Sequence, residues 1–173
     1  AEIAADGVTL AGGERIAAAT TVVTVGLRAN GLTAQIPGER DVAGRLTVDD
    51  YQKVRGVTDV YATGDVARAY VDDANVALMS CQHARTMGKY AGYNVAHDLL
   101  GLDPRPYRQP DYTTRLDLGA AGAVFTMGWD RDVQTTGAEA KKRKEMINRE
   151  WIYPPAGTRE EVFAALRIDA RGR

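Results

Sequence analysis

The chain has 173 residues, of which 45% are hydrophobic and 26% charged, a balance that excludes a wholly disordered protein. Its formal net charge of −1 provides no global field to attract nucleic acid, and no nucleic-acid partner is expected. The single cysteine, Cys81, excludes an intrachain disulfide and a four-thiolate metal site. Low cysteine usage and the lack of a long apolar run predict a cytoplasmic protein without a metal centre.

Two β elements are predicted at the start of the chain. Residues 8–17 contain the pair Gly12-Gly13, which can adopt the positive φ angles of a tight turn, so a hairpin is expected there. Residues 21–25 are all β-branched, too few for a helix, and are followed by Gly26. This run predicts a strand that is buried on both faces.

The central part of the chain contains a short apolar run that ends in Gly-Asp. Residues 60–65 predict a strand with Gly64 and Asp65 at its carboxyl end, where open α/β sheets bind their ligands. A carboxylate at this place can accept hydrogen bonds from sugar hydroxyls, and glycine allows a ligand to approach the backbone. Taken alone, the dipeptide is equally typical of an ordinary turn.

A long helix is predicted after this turn, with Ser80 as its N-cap and Gly101 as its C-cap. Glycine costs about 1 kcal/mol inside a helix. The pair Gly88 and Gly92 on one face therefore predicts that another element packs closely there. An apolar stripe is predicted on the adjoining face, formed by Ala84, Met87, Ala91, Val95 and Leu99.

The remainder of the chain predicts a second hairpin and two further helices. Three prolines between residues 104 and 110 exclude a helix, and residues 112–127 alternate around a Gly-Ala-Ala-Gly turn. A charged helix is expected over residues 137–148. Thr158 and Glu161 have the spacing of a capping box and predict a last short helix.

The order and spacing of these elements resemble the C-terminal half of FAD- and NAD(P)H-dependent oxidoreductases with two dinucleotide-binding domains. The similarity extends over roughly residues 3–101. Near the helix start it narrows to the type II NADH dehydrogenases, through the sequence Ser-Cys-Gln-His-Ala at residues 80–84. The segments that carry the resemblance are residues 24–30, 44–48, 57–65, 80–94, 111–119, 128–130 and 151–155.

The resemblance implies an α/β fold, of α+β appearance in this portion, with FAD and NAD(P)H as cofactors. It implies that residues 1–27 end the NAD(P)H domain, residues 28–101 complete the FAD domain, and residues 102–173 form a C-terminal section of hairpin and helices. The Gly-x-Gly-x-x-Gly fingerprints that hold dinucleotide pyrophosphates do not occur in the chain, which starts at Ala1 without an initiator Met. We therefore expect a missing N-terminal half as partner and an inactive isolated chain.

The same resemblance implies where the flavin and the electron acceptor bind. Asp65 is expected at the ribityl chain, and the helix start at the isoalloxazine ring, where about half a positive charge stabilises a reduced flavin. Gln82 and His83 are the expected catalytic residues, with Gln82 near a quinone or another small acceptor. The expected cofactor-binding residues are Gly64, Asp65, Ser80, Cys81, Gln82 and His83.

Several residues in this region permit more than one interpretation. Cys81 and Thr86 replace the Ala and Gln of the family's quinone-site pattern, which leaves the acceptor open. His83 is either a proton relay or a histidine that hydrogen-bonds nearby backbone, and His97 favours a structural role at the helix end. Cys81 is expected to be a small buried residue rather than a redox thiol.

Alternative functions also remain at this stage. One is a non-catalytic module that forms homo-oligomers through exposed sheet edges. Another keeps the fold but uses a different acceptor, as in sulfide:quinone or ferredoxin-type reductases. The cationic run at residues 141–144 indicates a solvated helix face. The mildly amphipathic last helix either packs on its own protein or contacts the cytoplasmic face of a membrane peripherally.

Overall fold

The computed structural model describes residues 1–24 and 26–169, in which α-helices are combined with three small sheets. The first sheet is antiparallel, with strand order β1-β2-β3, and confirms the predicted hairpin. A Cβ on Gly7 would lie 2.1 Å from the carbonyl oxygen of Ile16, so only glycine fits between these strands. The strands of this sheet are β1 (Glu2–Ala4), β2 (Gly7–Thr9) and β3 (Arg15–Ala17).

The predicted strand over residues 21–25 is wrong for its described part. Residues 21–24 are irregular, and the Val22 and Val23 side chains are 79% and 53% exposed. Val25 lies outside the described residues. A strand buried on both faces needs neighbours that accept its backbone hydrogen bonds, and no described strand pairs with this run.

The second sheet is a short parallel pair, β4 (Leu46–Thr47) and β5 (Ala67–Arg68). The strand predicted over residues 60–65 is largely an extended segment, held by one antiparallel bridge between Lys53 and Tyr61. It ends in a 3₁₀ turn over Gly64–Val66. The prediction of a strand is therefore wrong in detail, because a single bridge does not form a ladder. The segment is nevertheless extended and leads into the turn at Gly64, as predicted.

The long helix α1 (Cys81–Leu100) confirms both predicted caps. The Ser80 hydroxyl accepts a hydrogen bond from the His83 amide, and Gly101 takes the left-handed conformation with φ of 67°. The predicted apolar stripe is only partly correct, since Val95 and Leu99 are exposed. The buried face instead includes two polar side chains and consists of His83, Met87, Ala91 and Asn94.

The main hydrophobic core lies between α1 and the parallel pair. Met87 of α1 and Tyr107 of the following loop are both 1% exposed and belong to this core. Asn94, also fully buried, hydrogen-bonds the backbone of Tyr51 and Arg105 and so ties two loops to the helix. The other core residues are Leu46, Val48, Val54, Ala62, Ala67, Ala69, Val71 and Ala77.

The C-terminal section is an antiparallel sheet covered by a helix. The predicted hairpin is confirmed as β6 (Thr113–Asp117) and β7 (Ala123–Met127), and the sequence did not predict the third strand, β8 (Asp132–Thr136). Helix α2 (Gly137–Met146) packs across this sheet, with Ala140 buried against Ala123 and Phe125. A second small core therefore stabilises this section.

The last elements are a π-helical turn over Ile147–Trp151 and helix α3 (Arg159–Leu166). The predicted capping box is confirmed, because Thr158 and Glu161 exchange both of its hydrogen bonds. None of the α3 residues is buried. Among the described residues, no helix has both the length and the apolar character required to cross a bilayer.

The cationic run at residues 141–144 is only partly a solvated face. Lys141 forms an ion pair of 2.7 Å with Asp117, and the Arg143 guanidinium lies over the rings of Phe125 and Trp151. These contacts bind α2 to the sheet and to the π-helical turn. Lys142 and Arg143 are exposed, as the predicted solvated face requires, whereas Lys141 and Lys144 are half-buried.

Candidate functional site

The turn that carries the candidate carboxylate packs directly on the start of α1. Gly64 has φ of 68°, and a Cβ built on it would lie 3.4 Å from the Ala84 Cβ. Asp65, the next residue, is exposed to solvent. The turn that contains the exposed Asp65 therefore lies beside the first turns of the helix.

The N-terminus of α1 retains backbone donors that the helix does not use. The Ser80 hydroxyl accepts a hydrogen bond from the His83 amide at 3.4 Å, and the Ser80 carbonyl accepts one from the Ala84 amide at 2.9 Å. The amides of Cys81 and Gln82 precede these and have no acceptor within the helix. Cys81 is exposed rather than buried, so that prediction is wrong; it occupies the first helical position, on the solvent side.

His83 points into the protein. Its ring is fully buried and stacks on Tyr112 at 5.8 Å, and Trp129 lies 6.2 Å away. Nδ1 lies 2.9 Å from the Ser80 hydroxyl, while Nε2 is buried and has no hydrogen-bond partner among the described residues. Burial lowers the pKa of the imidazole, which therefore favours the neutral form.

Gln82 joins the helix start to the C-terminal sheet. Its Oε1 accepts a hydrogen bond of 2.9 Å from the Thr113 hydroxyl, and its Nε2 donates to the Thr113 carbonyl at 3.4 Å. The Gln82 carbonyl accepts from the Gln109 side chain at 3.3 Å and from the Thr86 hydroxyl at 3.4 Å. Thr86, which stands where the family has a second Gln, therefore bonds the helix backbone.

Three residues of this site were not predicted from sequence as site residues. Tyr112, Thr113 and Trp129 come from β6 and the loops beside the sheet, about 30 positions or more beyond the residues they contact. The only available signal was that their segments resemble the same family. No local pattern in the sequence indicates which of their side chains reaches α1.

An open cavity of about 1170 Å³ lies along the other side of α1. Gly88 and Gly92 line it, and a Cβ on either glycine would meet no described atom within 4 Å. The predicted close packing on this pair is therefore wrong within the described chain. Arg85 crosses one end and donates to the Trp151 carbonyl at 2.6 Å, and α3 forms the far wall.

These features define a class of site. A carboxylate at the end of an extended segment, followed in the chain by a helix whose N-terminus packs against it, is the arrangement of dinucleotide-binding α/β proteins. The exposed Asp65, the positive φ of Gly64 and the unused amides of Cys81 and Gln82 fit the sugar-like chain and the polar edge of a flavin nucleotide. Such a cofactor supplies two-electron transfer when bound.

The chain belongs to the pyridine nucleotide-disulphide oxidoreductase family, whose sequence profile matches residues 1–88. The match includes Gly64, Asp65 and the first turns of α1. The mixed α/β structure with small sheets is consistent with part of that fold. The resemblance to the family that the sequence indicated is confirmed.

Two named relatives show how far the similarity extends. NADH dehydrogenase-like protein Rv1812c of Mycobacterium tuberculosis (strain ATCC 25618 / H37Rv) is 52% identical over 166 residues, which is 95% of this chain and 42% of that protein. Ferroptosis suppressor protein 1 of Xenopus tropicalis is 29% identical over 108 residues, 62% of this chain and 27% of its own length. The chain thus spans less than half of either relative.

Proposed function

We propose that the chain is part of a flavoprotein that passes electrons from NAD(P)H through FAD to a quinone or a similar small acceptor. The observation that supports this proposal is the approach of Gly64 to Ala84, next to which the exposed Asp65 follows in the chain. Family membership and the NADH dehydrogenase-like relative support the same chemistry.

Each residue of the site has a distinct proposed role. Asp65 accepts hydrogen bonds from the hydroxyls of the ribityl chain, and Gly64 leaves room for that chain. The amides of Cys81 and Gln82, with the helix dipole, stabilise negative charge at the pyrimidine edge on reduction. Gln82 lies at the boundary with the acceptor. His83 contributes its backbone, and its neutral, buried ring packs inside the protein and stabilises the start of α1.

We further propose that an upstream part of the polypeptide completes the site. NADH dehydrogenase-like protein Rv1812c is matched over 42% of its length, and the fingerprints that hold pyrophosphates do not occur in this chain. The face of α1 with Gly88 and Gly92 is open and has room for a closely packed element. The isolated chain should then bind FAD weakly and show no NADH oxidation.

The proposal is tested by complementation. The chain is co-expressed with the upstream part of a 52% identical relative, and bound flavin and NADH:quinone activity are measured. Asp65→Ala should lower the flavin content of the complex strongly, since the carboxylate offers up to two charge-assisted hydrogen bonds. Asp73→Ala removes another exposed carboxylate, in the loop between β5 and α1, and serves as the control.

An Asp65→Ala complex with the same flavin content as the Asp73→Ala complex would contradict the site assignment. Bound flavin without any NADH oxidation would contradict the proposed activity and leave the binding site intact. The two results are read separately, because absorbance of the purified complex reports the cofactor and steady-state kinetics report the reaction.

Self-association is a second candidate, favoured by one exposed sheet face. Leu116 and Val133 lie on the side of the C-terminal sheet opposite α2, and both are 61% exposed. Exposed apolar patches of this kind support contacts between chains. A colourless oligomer on a sizing column, disrupted by Leu116→Lys, would favour this function over electron transfer.

A further inference from the structure

We infer that Thr113 and Arg115 are positioning residues which fix the Gln82 amide so that it offers a hydrogen-bond donor to the electron acceptor. The inference rests on the proposed function and adds the orientation of the acceptor-side residue. It also defines the acceptor's chemistry at the contact, a carbonyl oxygen. Thr113 and Arg115 lie in the segment 111–119 that resembles the family, but no local pattern in the sequence shows that either contacts Gln82.

The first step is the direction of a hydrogen-bond chain. Arg115 Nη1 donates to the Thr113 hydroxyl oxygen at 2.9 Å, and the same hydroxyl lies 2.9 Å from Gln82 Oε1. A guanidinium can only donate hydrogen bonds. The Thr113 oxygen therefore accepts from Arg115, and its single proton is directed to Gln82 Oε1. The hydrogen bonds therefore all point in one direction, from the Arg115 guanidinium to the start of α1.

The second step is the orientation of the Gln82 amide. The Thr113 carbonyl oxygen, which can only accept, lies 3.4 Å from Gln82 Nε2. Rotating the amide by half a turn would place Oε1 against this carbonyl, with no proton between the two oxygens. The carbonyl contact with Thr113 therefore selects the orientation, and the hydroxyl contact is compatible with it. The amide group is held in one of its two possible states.

The third step is what this orientation leaves for a ligand. Gln82 Oε1 is engaged by the Thr113 hydroxyl, while one of the two Nε2 protons is directed at the Thr113 carbonyl. The other Nε2 proton has no acceptor among the described residues, and the side chain is only partly buried. Gln82 thus presents a donor. A carbonyl oxygen, as in a quinone, is the complementary group.

The fourth step concerns the positive charge of Arg115, from which the chain of hydrogen bonds begins. The Arg115 guanidinium is partly buried and lies 4.9 Å from the centre of the Phe125 ring, which restricts its position. A hydrogen bond from a cation is stronger than one between neutral groups and polarises the bonds that follow it. The remaining Gln82 N–H becomes a better donor, which favours an acceptor oxygen that gains negative charge on reduction.

The orientation can be measured in the chain as it stands. Thr113→Val keeps the shape of the side chain and removes both hydroxyl contacts, so the side-chain amide signals of Gln82 in a ¹⁵N-correlated NMR spectrum should shift. Thr114→Val is the matched control, because Thr114 is adjacent on β6 but bonds Thr126 instead. Thr113→Ser should return the Gln82 signals to their wild-type positions.

The effect on the reaction is measured in the complemented flavoprotein. Thr113→Val should raise the KM for a short-chain quinone about five- to tenfold, the equivalent of one lost hydrogen bond, at unchanged flavin content. Thr114→Val should leave KM unchanged, and Thr113→Ser should restore it. A merely structural role of Thr113 would lower flavin content and kcat together without this selective change in KM.

Two results would overturn the inference. One is a Gln82 amide signal that responds to Thr113→Val no more than to Thr114→Val. The other is an equal KM in these two variants when the complex reduces quinone. A complex that binds flavin but reduces no quinone contradicts the proposed function instead, and the NMR comparison then decides the orientation by itself.

Discussion

Gly64 and Ala84 face each other at the candidate site, where a Cβ built on Gly64 would lie 3.4 Å from the Ala84 Cβ. This close approach joins an extended segment and a helix that are separated by a polar loop in the sequence. It brings the 3₁₀ turn that contains Asp65 beside the first turns of α1. Because Gly64 has φ of 68°, glycine meets the conformational requirement here.

Gly64→Ala should therefore destabilise the chain, and Gly88→Ala should stabilise it. At position 64 an alanine must adopt a left-handed conformation, which costs about 1 kcal/mol. Gly88 lies inside α1 with no atom within 4 Å of a built Cβ, so alanine there gains about 1 kcal/mol of helix propensity. Urea denaturation of both variants measures the two changes, and equal signs would contradict the structure.

Gly88→Ala also tests the proposed upstream part of the polypeptide. If an element packs closely on the open face of α1, the added methyl group should weaken the complemented complex although it stabilises the chain alone. The affinity of the two parts, measured by titration calorimetry, should then fall in this variant. An unchanged affinity would show that the partner contacts another face.

Acid should destabilise the chain partly through His83. Burial lowers the pKa of this imidazole in the folded chain, whereas the unfolded chain titrates near 6.5. The unfolded state thus binds more protons as the pH falls below that value, and the free energy of unfolding decreases by at most about 1.4 kcal/mol per pH unit. Above the pKa of the unfolded chain His83 is neutral in both states, so protonation of this ring no longer lowers the free energy of unfolding.

His83→Phe should flatten the pH dependence between about pH 7 and pH 5. Phenylalanine keeps a planar ring against Tyr112 and cannot be protonated. His97→Gln removes the other histidine of the chain and is measured alongside for comparison. The carboxylates with lowered pKa values, such as Asp98 and Asp117, act only at lower pH, because hydrogen bonds from Lys53 and Lys141 keep them ionised.

The elements that sequence predicted well are those fixed by local chemistry. Ser80 and Gly101 define α1 because a cap needs only the residue itself and its neighbours in the chain. The capping box of Thr158 and Glu161 is correct for the same reason. The proposed site residues Asp65 and Ser80 could be selected from sequence because the carboxylate follows a β run and the cap precedes a helix.

The features that sequence did not predict depend on distant partners. The contact of Gln82 with Thr113 joins residues 31 positions apart and is set by how β6 lies on α1. Strand β8 is mostly exposed and polar, so its strand conformation comes from pairing with β7 and not from an apolar pattern. The run at residues 21–24 shows the converse, since β-branched residues alone do not make a strand without a neighbour.

Asn94→Ala should be among the more destabilising substitutions in the chain. Its amide nitrogen donates to the carbonyls of Tyr51 and Arg105, and its oxygen accepts from the Arg105 amide. Truncation removes all three hydrogen bonds of a fully buried side chain, which should cost about 3 kcal/mol in the free energy of unfolding. Asn30→Ala removes one exposed cap contact and should cost about 1 kcal/mol or less.

Urea denaturation of the two asparagine variants tests whether the hydrogen bonds of Asn94 hold the two loops on α1. A loss in Asn94→Ala no larger than in Asn30→Ala would contradict the role of Asn94 as a clamp for two loops. Asn94→Asp is a useful third variant, because it keeps an acceptor for the Arg105 amide but cannot donate to either carbonyl. It should also be strongly destabilised.

Thr158→Ala should unfold α3 locally and leave the rest of the chain intact. None of the α3 residues is buried, so a helix of eight residues depends largely on its capping box. Loss of the Thr158 hydroxyl should cost about 1 kcal/mol, which lowers amide protection from hydrogen exchange about fivefold within α3. The amides of α1 should keep their protection, because Ser80 caps that helix independently. An equal loss of protection in α1 would show instead that α3 and α1 unfold as one unit across the cavity between them.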